Sequence, residues 1–351
     1  MKIGILTFHH GMNHGGFLQA YALQNTFRQL GYENKIINYR NIRHFCKKYR
    51  LLFSTPRLVT NLRKRLKFRS NHKQLHMSRF AFTVKKVAGE YFDLIVLGSD
   101  EIWNFQNPMF GFDSIYFGIG LNAQRVISYA ASFGSVDADK KIPKQICESI
   151  NTLSNISVRD ENSQRIVSRI VGKNVPILLD PVFLYDFKLE EKECAYSNFI
   201  LVYGIIREKE IIDDIQSLAK SRNQKTISVV YKNTWCDINI TSLDAFEWLG
   251  YFKNADIIIT NMFHGTLFSI KYNKTFCTII TEYRRNKFDP TLTKLGLSDR
   301  VLSDDKTVDR MFRRRIDFSL INERLNAWIS ESLQFIKGAI CVEKAIETNI
   351  T

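Results

Sequence analysis

Short apolar runs rich in β-branched residues alternate with longer amphipathic stretches along most of the chain. The first example is the run KIGILTF at residues 2–8, followed by a polar loop, the amphipathic stretch FLQAYALQNTFRQL, and a second run NKIINY at 34–39. Gly31 directly follows the amphipathic stretch, as expected of a residue that ends a helix. This alternation is typical of βαβ units, so the sequence predicts an α/β fold built on parallel sheets.

Two groups of such units divide the chain. In the first half, further strands are predicted at 93–98, 125–130, 155–158 and 175–179, with helices at 57–75, 138–152 and 160–171. In the second half, strands are predicted at 198–204, 225–231, 255–260 and 275–280, with helices at 207–222, 242–252 and 264–272. The Asp180-Pro181 step and the charged stretch after it indicate a boundary, because proline restricts the residue before it and a polar connector stays solvated. We therefore predict two domains, residues 1–187 and 188–351, facing each other across a cleft, with a closing helix at 318–340.

Composition favours a cytoplasmic globular protein. The six cysteines are scattered without a CxxC pair, which predicts neither a zinc site nor a disulfide framework and fits a reducing compartment. Met1 leads straight into a strand-like run, so no signal peptide is expected, and no apolar stretch approaches the length of a membrane span.

The formal net charge of +15 comes from one segment. Between Glu33 and Glu90 there is no acidic residue, and sixteen lysines and arginines lie there, so the rest of the chain nets 15 − 16 = −1. We predict a basic helical arm at about 43–79, which is either a solvated helical face or a surface for peripheral contact with anionic membrane. A nucleic-acid or anionic-polymer binding protein is the rival that the charge suggests, but no recognisable nucleic-acid module accompanies it.

Loops that directly follow strands are where ligands bind in an open parallel sheet. The loop from His9 to Gly16 is glycine-rich and precedes a helix N-terminus, which favours an anion, although a turn that merely needs glycines is the alternative. The loop from Gly98 to Asn104 offers two carboxylates, a hydroxyl and the Trp103 indole, which suit a sugar. Alternatively, Asp100 caps a helix and Trp103 belongs to the core.

Two further loops carry an arginine and a histidine. Arg159 lies between a short strand and a helix, where it can hold a carboxylate or phosphate or, alternatively, form a salt bridge with a neighbour such as Asp160. His264 follows the strand at 255–260, and it is either a proton donor at the cleft or a structural histidine.

Six motifs occur in order along the chain: ILTFHHGMNHGGFLQAYALQ, DLIVLGSDEIWN, RVISYAASFG, ISVRDENS, LLDPVFLY and ADIIITNMFHGTLFSI. Together they resemble the ordered motif series of the polysaccharide pyruvyl transferase family, over about residues 1 to 300. The resemblance implies two Rossmann-like domains arranged as in GT-B glycosyltransferases, phosphoenolpyruvate as donor, and a sugar hydroxyl pair as acceptor. Two departures stand out: Met262 occupies the place of an arginine found in members with an Arg-Leu-His triplet, and His14 stands where a tyrosine is common.

The resemblance also implies roles for individual residues. It associates Arg159 and His264 with the donor, and because Met262 is not an arginine we expect another cation there. The donor-side residues we expect, in the C-terminal domain and at Arg159, are Arg159, Arg284, Arg285, Lys271 and Gly265. The acceptor-side residues we expect, in the N-terminal domain, are Asn13, His14, Gly15, Gln19, Ser99 and Trp103.

Ketal formation from an enol ether requires an acid and several cations. We therefore expect His264 to be the general acid, with Asp100 or Glu101 orienting or deprotonating the acceptor. Neither a metal nor a further cofactor is expected. The acceptor would be a glycan precursor of the cell surface or capsule, lipid-linked or nucleotide-linked. The enzymatic rival is a GT-B glycosyltransferase that uses a nucleotide sugar.

Overall fold

The computed structural model describes residues 1–42, 58–109, 111–280, 285–302, 307–313 and 315–347. Its named strands form two sheets in which all neighbouring strands are parallel. This confirms the predicted α/β class.

The first sheet has five strands in the order β2-β1-β3-β4-β5. They are β1 (Ile3–Leu6), β2 (Asn34–Ile36), β3 (Phe92–Leu97), β4 (Ala123–Ala131) and β5 (Asn155–Val158). The helices of this half are α1 (His14–Gln29), α2 (Leu58–His72), α3 (Val84–Val87), α4 (Lys144–Asn151) and α5 (Glu161–Val171). The strand predicted at 175–179 is wrong, because that segment makes only an isolated bridge between Ile177 and Val158.

The second sheet has six strands in the order β11-β10-β9-β6-β7-β8. They are β6 (Phe199–Tyr203), β7 (Lys225–Val229), β8 (Ile238–Ile240), β9 (Ile257–Thr260), β10 (Thr275–Ile279) and β11 (Val301–Leu302). Its helices are α6 (Lys209–Ser221), α7 (Ala245–Asn254), α8 (Phe263–Lys271), α9 (Arg285–Leu295), α10 (Val308–Arg313) and α11 (Phe318–Glu347). The division predicted between residues 187 and 188 falls in the segment that joins the two sheets.

Side-chain caps fix where the helices near the sheet edges begin. Asn13 accepts a hydrogen bond from the Gly16 amide at 3.1 Å and so starts α1. Asp160 accepts one from the Ser163 amide at 2.8 Å and starts α5. These two helices therefore begin immediately after the carboxyl ends of β1 and β5, where parallel sheets bind ligands.

The long helix α11 contacts both halves, as predicted for the closing helix, and extends beyond the predicted end at residue 340. The Trp328 indole donates to the Ile177 carbonyl at 3.0 Å, and the Leu179 amide donates to the Ser332 hydroxyl at 3.2 Å. On its other side, Glu331 pairs with Lys294 of α9 at 3.2 Å. The helix thus ties the end of the first half to the second.

The basic helix α2 also joins the two halves. Its Phe68 is buried against Phe17 of α1, while Lys64 donates to the Val230 carbonyl at 3.0 Å. Lys67 pairs with Glu247 of α7 at 2.8 Å. One side of the predicted basic arm is therefore occupied by contacts within the protein, and residues 43–57 of the arm lie outside the described part of the chain.

Candidate active site

The N-termini of α1, α5 and α8 meet where the two halves touch. Gly15, in the first turn of α1, lies directly against the His264 ring of α8, since a Cβ added to Gly15 would lie 2.2 Å from His264 Cγ. Only a glycine allows this approach. The phenyl ring of Phe263 covers the Arg159 guanidinium at 4.4 Å, so the residue just before α5 joins the same cluster. Each helix start contributes a positive dipole end to this point.

Asp180 links Arg159 to His264, and sequence reasoning missed it as a site residue. Its Oδ2 accepts from Arg159 Nη1 at 2.9 Å and lies 3.7 Å from His264 Nε2. Its Oδ1 accepts from the Val182 amide at 3.2 Å, which holds the carboxylate in place. All three side chains are almost completely buried. The Asp-Pro step that was interpreted as a boundary thus also delivers a site carboxylate.

Arg159 is held by a second aspartate. Asp100, directly after β3, lies 3.5 Å from Arg159 Nη2. Asp160 contributes a third carboxylate nearby, although its oxygens are engaged by Ser132 and Ser163. The nearby carboxylates raise the pKa of Arg159 against the opposing effect of burial, so this arginine stays charged. The predicted salt-bridge alternative for Arg159 is therefore present, with Asp180 as its closest partner.

His264 is neutral near pH 7 in this arrangement. Burial lowers its pKa below the ordinary value, and Arg159 acts in the same direction, whereas Asp180 and Asp100 oppose the shift. Its Nε2 is buried without a hydrogen-bond partner among the described residues. An unpaired imidazole nitrogen at the junction of three helix N-termini can exchange a proton with a bound anion.

Glu101 and Ser99 lie on either side of Asp100. Glu101 Oε2 accepts from the Asn104 amide at 3.1 Å and packs closely on Gly134. Ser99 is buried: its hydroxyl donates to the Ala130 carbonyl at 3.0 Å, and its own carbonyl accepts from Thr7 at 2.8 Å. Ser99 therefore shapes the loop rather than facing a ligand. Asn13 caps α1, as described above.

Like that of Ser99, the side chains of three further residues expected to contact the acceptor are buried in the structure, which corrects those expectations. Trp103 is fully buried, its indole nitrogen donates to the Tyr116 carbonyl at 2.8 Å, and its ring stacks on Phe117, so its face is not available to a sugar. Gln19 is fully buried and its amide donates to Thr7, Phe8 and Gly16. His14 packs between aromatic rings and its Nε2 lies 2.9 Å from the Leu243 carbonyl across the junction of the two halves.

Among the cations expected at the donor besides Arg159, only Lys271 has a described side chain, and it lies away from His264. Lys271 lies at the opposite end of α8 and donates to the Tyr185 carbonyl at 2.8 Å, and burial lowers its pKa to about 8. Arg284 lies outside the described residues, and of Arg285 only the backbone, at the start of α9, is described. Gly265 instead allows α8 to pack on the sheet, because an added Cβ would lie 2.3 Å from Thr260 Oγ1. Met262 precedes α8 as its cap residue.

The sequence model of the polysaccharide pyruvyl transferase family matches residues 13–283, which is most of the chain. This protein belongs to that family. The matched region contains Gly15, Arg159, Asp180 and His264, so the whole cluster lies within it. No curated protein sequence matches the chain.

Several solved structures align with most of the chain. The UDP-GlcNAc 2-epimerase of Methanocaldococcus jannaschii, solved with UDP-GlcNAc and UDP, aligns with a TM-score of 0.50 at 13% identity over 93% of each chain. The MnaA–UDP structure of S. aureus aligns at 0.48 and 12% identity, over 95% of this chain and 91% of the other. The heptosyltransferase WaaC of E. coli with ADP aligns at 0.45 and 9% identity, over 95% and 100%. The alignment with the Methanocaldococcus jannaschii structure confirms the expected GT-B-like arrangement.

The described part of the chain offers neither a membrane span nor a metal-binding cluster. None of its helices is long and apolar enough to cross a membrane. The same residues contain no group of three or more histidines, cysteines, aspartates or glutamates that could hold a metal ion.

Proposed function

We propose that this protein transfers the pyruvyl group of phosphoenolpyruvate to two hydroxyls of a sugar in a cell-surface or capsular glycan precursor. The product is a pyruvate ketal, and phosphate is released. The observation that supports the proposal is the buried His264 imidazole, with its unpaired nitrogen, held beside Arg159 at the junction of three helix N-termini within the family-matched region.

In the proposed reaction, His264 in its protonated form donates a proton to the methylene carbon of phosphoenolpyruvate, which becomes the methyl group. One sugar hydroxyl attacks the cationic C2 and its proton returns to the imidazole. The C–O bond to phosphate then breaks, the second hydroxyl attacks C2, and the proton of that hydroxyl leaves with the phosphate. Asp100 or Glu101 orients the attacking hydroxyls, or accepts their protons in transit and passes them on to the imidazole and the phosphate.

His264 must become protonated when the donor binds, because it is neutral in the free protein. Arg159 already faces Asp100 and Asp180, so the described charges next to His264 do not by themselves compensate a phosphate and a carboxylate. Arg284 and Arg285, which the chain places just before and at the start of α9, remain our proposed additional cations. The bound anion then raises the pKa of His264 and converts it to the acid.

The direct test is to incubate the protein with phosphoenolpyruvate and a panel of galactose- and N-acetylmannosamine-bearing acceptors. Phosphate release together with the mass gain of one pyruvate ketal supports the proposal. Thermal protection by nucleotide sugars and not by phosphoenolpyruvate would instead favour glycosyl transfer, because a ligand at 100 times its Kd stabilises the folded state by about 2.7 kcal/mol.

His264→Asn tests the proposed acid. We expect turnover to fall by about 10²- to 10⁴-fold, the usual contribution of a positioned acid or base. His76→Asn is the matched control, because His76 is exposed and contacts the Asn34 carbonyl at the far edge of the first sheet. Near wild-type turnover of the His264→Asn variant would remove this histidine from the mechanism.

Asp180→Asn tests the role of Asp180 as a positioning residue. The Asp180 charge raises the pKa of His264, so its removal makes the imidazole harder to protonate. The reaction needs the protonated form, so kcat should fall as pH rises. The midpoint of that fall should lie at a lower pH in the variant than in the wild type. A profile of kcat against pH that keeps its wild-type midpoint contradicts this role.

Where the protein acts is part of the proposal. We propose a cytoplasmic enzyme whose α2 arm rests on anionic lipid at the inner face of the membrane, supported by the exposed Arg63 and Arg69 on α2. Co-sedimentation with liposomes that contain anionic lipid, compared with an Arg63→Glu/Arg69→Glu variant, tests it. Equal binding by both proteins would exclude this membrane contact.

A further inference from the structure

A narrow recess lies at the carboxyl-end edge of the first sheet, on the acceptor side of the candidate active site. Its walls come from the loops that follow β1, β2 and β3 and from the segment leading into the short helical turn Ser114–Phe117. The enclosed space has room for about one water molecule, or for one hydroxyl group of a larger ligand.

Asn104 lines the recess with an acceptor oxygen that the protein does not use. The side chain is almost completely buried, and its amide nitrogen donates to Glu101 Oε2 at 3.1 Å. Its Oδ1 is buried and has no hydrogen-bond partner among the described residues. An unsatisfied buried acceptor destabilises the folded protein, so this position favours a ligand that brings a donor.

Asp113 lines the same recess, and two neighbours hold its carboxylate. Tyr39 Oη donates to Asp113 Oδ2 at 3.0 Å, and Asn41 Nδ2 donates to the same oxygen at 2.8 Å. Within the described part of the chain no hydrogen bond to Oδ1 is found, so this oxygen remains available to a further donor. A carboxylate held in this way accepts a strong hydrogen bond from a hydroxyl but repels an anion.

His10 and Asn41 also line the recess, and the rest of its lining is mainly apolar. Phe8 and Ile102 line the recess beside the two polar groups, and the ring of Tyr116 packs edge-on against Phe8 at 5.1 Å. A hydroxyl that enters the recess can donate its one hydrogen to either acceptor oxygen, while the neighbouring C–H groups of a sugar contact the apolar side chains. The Asp113 carboxylate favours such a neutral donor over an anion.

We infer that this recess binds one hydroxyl of the neutral acceptor sugar and so determines which pair of its hydroxyls faces His264. The inference rests on the proposed function and adds a specificity site to it. Asn104 is connected to the reactive cluster through Glu101, the chain neighbour of Asp100, and Asp100 pairs with Arg159. A sugar anchored in the recess is therefore placed next to the carboxylates proposed to orient its hydroxyls.

The test measures sugar binding without phosphoenolpyruvate, so that it does not depend on pyruvyl transfer. The full chain is titrated, by saturation-transfer NMR, with the methyl glycosides of glucose, galactose, mannose, N-acetylglucosamine and N-acetylmannosamine. Asp113→Asn and Asn104→Leu each change one recess group at nearly constant size. Asn151→Leu is the matched control, because Asn151 is exposed on α4 and its side-chain amide donates to the Cys147 carbonyl of the same helix.

We expect each recess variant to bind the preferred glycoside at least tenfold more weakly, whereas Asn151→Leu binds like the wild type. A monodeoxy derivative of that glycoside lacking the anchoring hydroxyl should lose about tenfold in the wild type and nothing further in Asn104→Leu. The thermal midpoint of each variant is measured alongside, and if one recess variant does not fold, the other carries the comparison.

The outcomes separate this inference from the proposed function. Equal glycoside binding by wild type and both recess variants, or binding of none of the five glycosides, overturns the inference and leaves a water site only. Glycoside binding that depends on Asn104 and Asp113, without ketal formation from phosphoenolpyruvate, overturns the proposed reaction and leaves the sugar site standing.

Discussion

His14 makes the contact between the two halves sensitive to acid. Its Nε2 lies 2.9 Å from the Leu243 carbonyl, and its ring packs against Phe68 and Trp248. Burial lowers the pKa of His14 to about 4; the bond to Leu243 and the charges of Asp244 and Glu247 oppose this shift, while Lys64 adds to it. The folded protein therefore keeps this histidine neutral at a pH where the unfolded chain protonates it.

The sign and size of the effect follow from proton linkage. Because the pKa is lower in the folded state than the unfolded value of about 6.5, the unfolded chain binds more protons between those two values, and stability is lost as pH falls through that range. At pH 5 the loss is about 2 kcal/mol for His14, relative to pH 7.5. That is a large fraction of the ~5–15 kcal/mol that stabilises an ordinary domain.

His14→Gln isolates this contribution, because a glutamine amide can donate to Leu243 and does not titrate. Urea unfolding followed by circular dichroism at pH 7.5 and pH 5 gives the free energy of unfolding at each pH. We expect the wild type to lose about 2 kcal/mol more than the variant between the two values. An identical loss in His14→Gln and wild type would refute the reasoning.

Two further predictions concern contacts that hold the halves together. Gly15→Ala should abolish activity and lower the thermal midpoint, because the new methyl group would lie 2.2 Å from the His264 ring, whereas Gly338→Ala in α11 meets nothing within 4 Å and should be neutral or slightly stabilising. Lys67→Glu should lower the free energy of unfolding in urea by about 0.2–1 kcal/mol, since this pair is partly exposed; an unchanged free energy of unfolding would show that the pair does not stabilise the contact between the halves.

The fold was predictable because buried parallel strands leave a strong pattern. Runs such as DLIVLG and ADIIIT are apolar on both faces, and the helices between them carry caps such as Asp160. The misses have the same physical origin. The segment 175–179 is as apolar as a strand, but side chains of α11 form hydrogen bonds with its backbone, at the Ile177 carbonyl and the Leu179 amide. It therefore pairs with β5 at a single bridge.

The site was less predictable than the fold, because a side chain's role depends on what the other half places beside it. The flat indole of Trp103 is the kind of surface on which a sugar stacks, yet Phe117 and Phe133 pack against it inside the protein. Asp180 lies far along the chain from Arg159 and His264, and no local pattern shows that its carboxylate serves both. Its signal was a carboxylate directly after an apolar run, the position at which Asp100 was recognised.

Donor binding should be accompanied by proton uptake, because of the charges around His264. The imidazole is neutral in the free protein, since burial lowers its pKa, and Asp180 accepts from Arg159 instead of from the histidine. A multiply charged anion bound beside it favours the imidazolium, so up to about one proton per molecule should be taken from the buffer near pH 7.5. Calorimetric titration with phosphoenolpyruvate in buffers of different ionisation enthalpy measures this number directly. Proton uptake that persists unchanged in His264→Asn would place the titrating group elsewhere, and binding without any uptake would mean that the acid of the reaction is not this histidine.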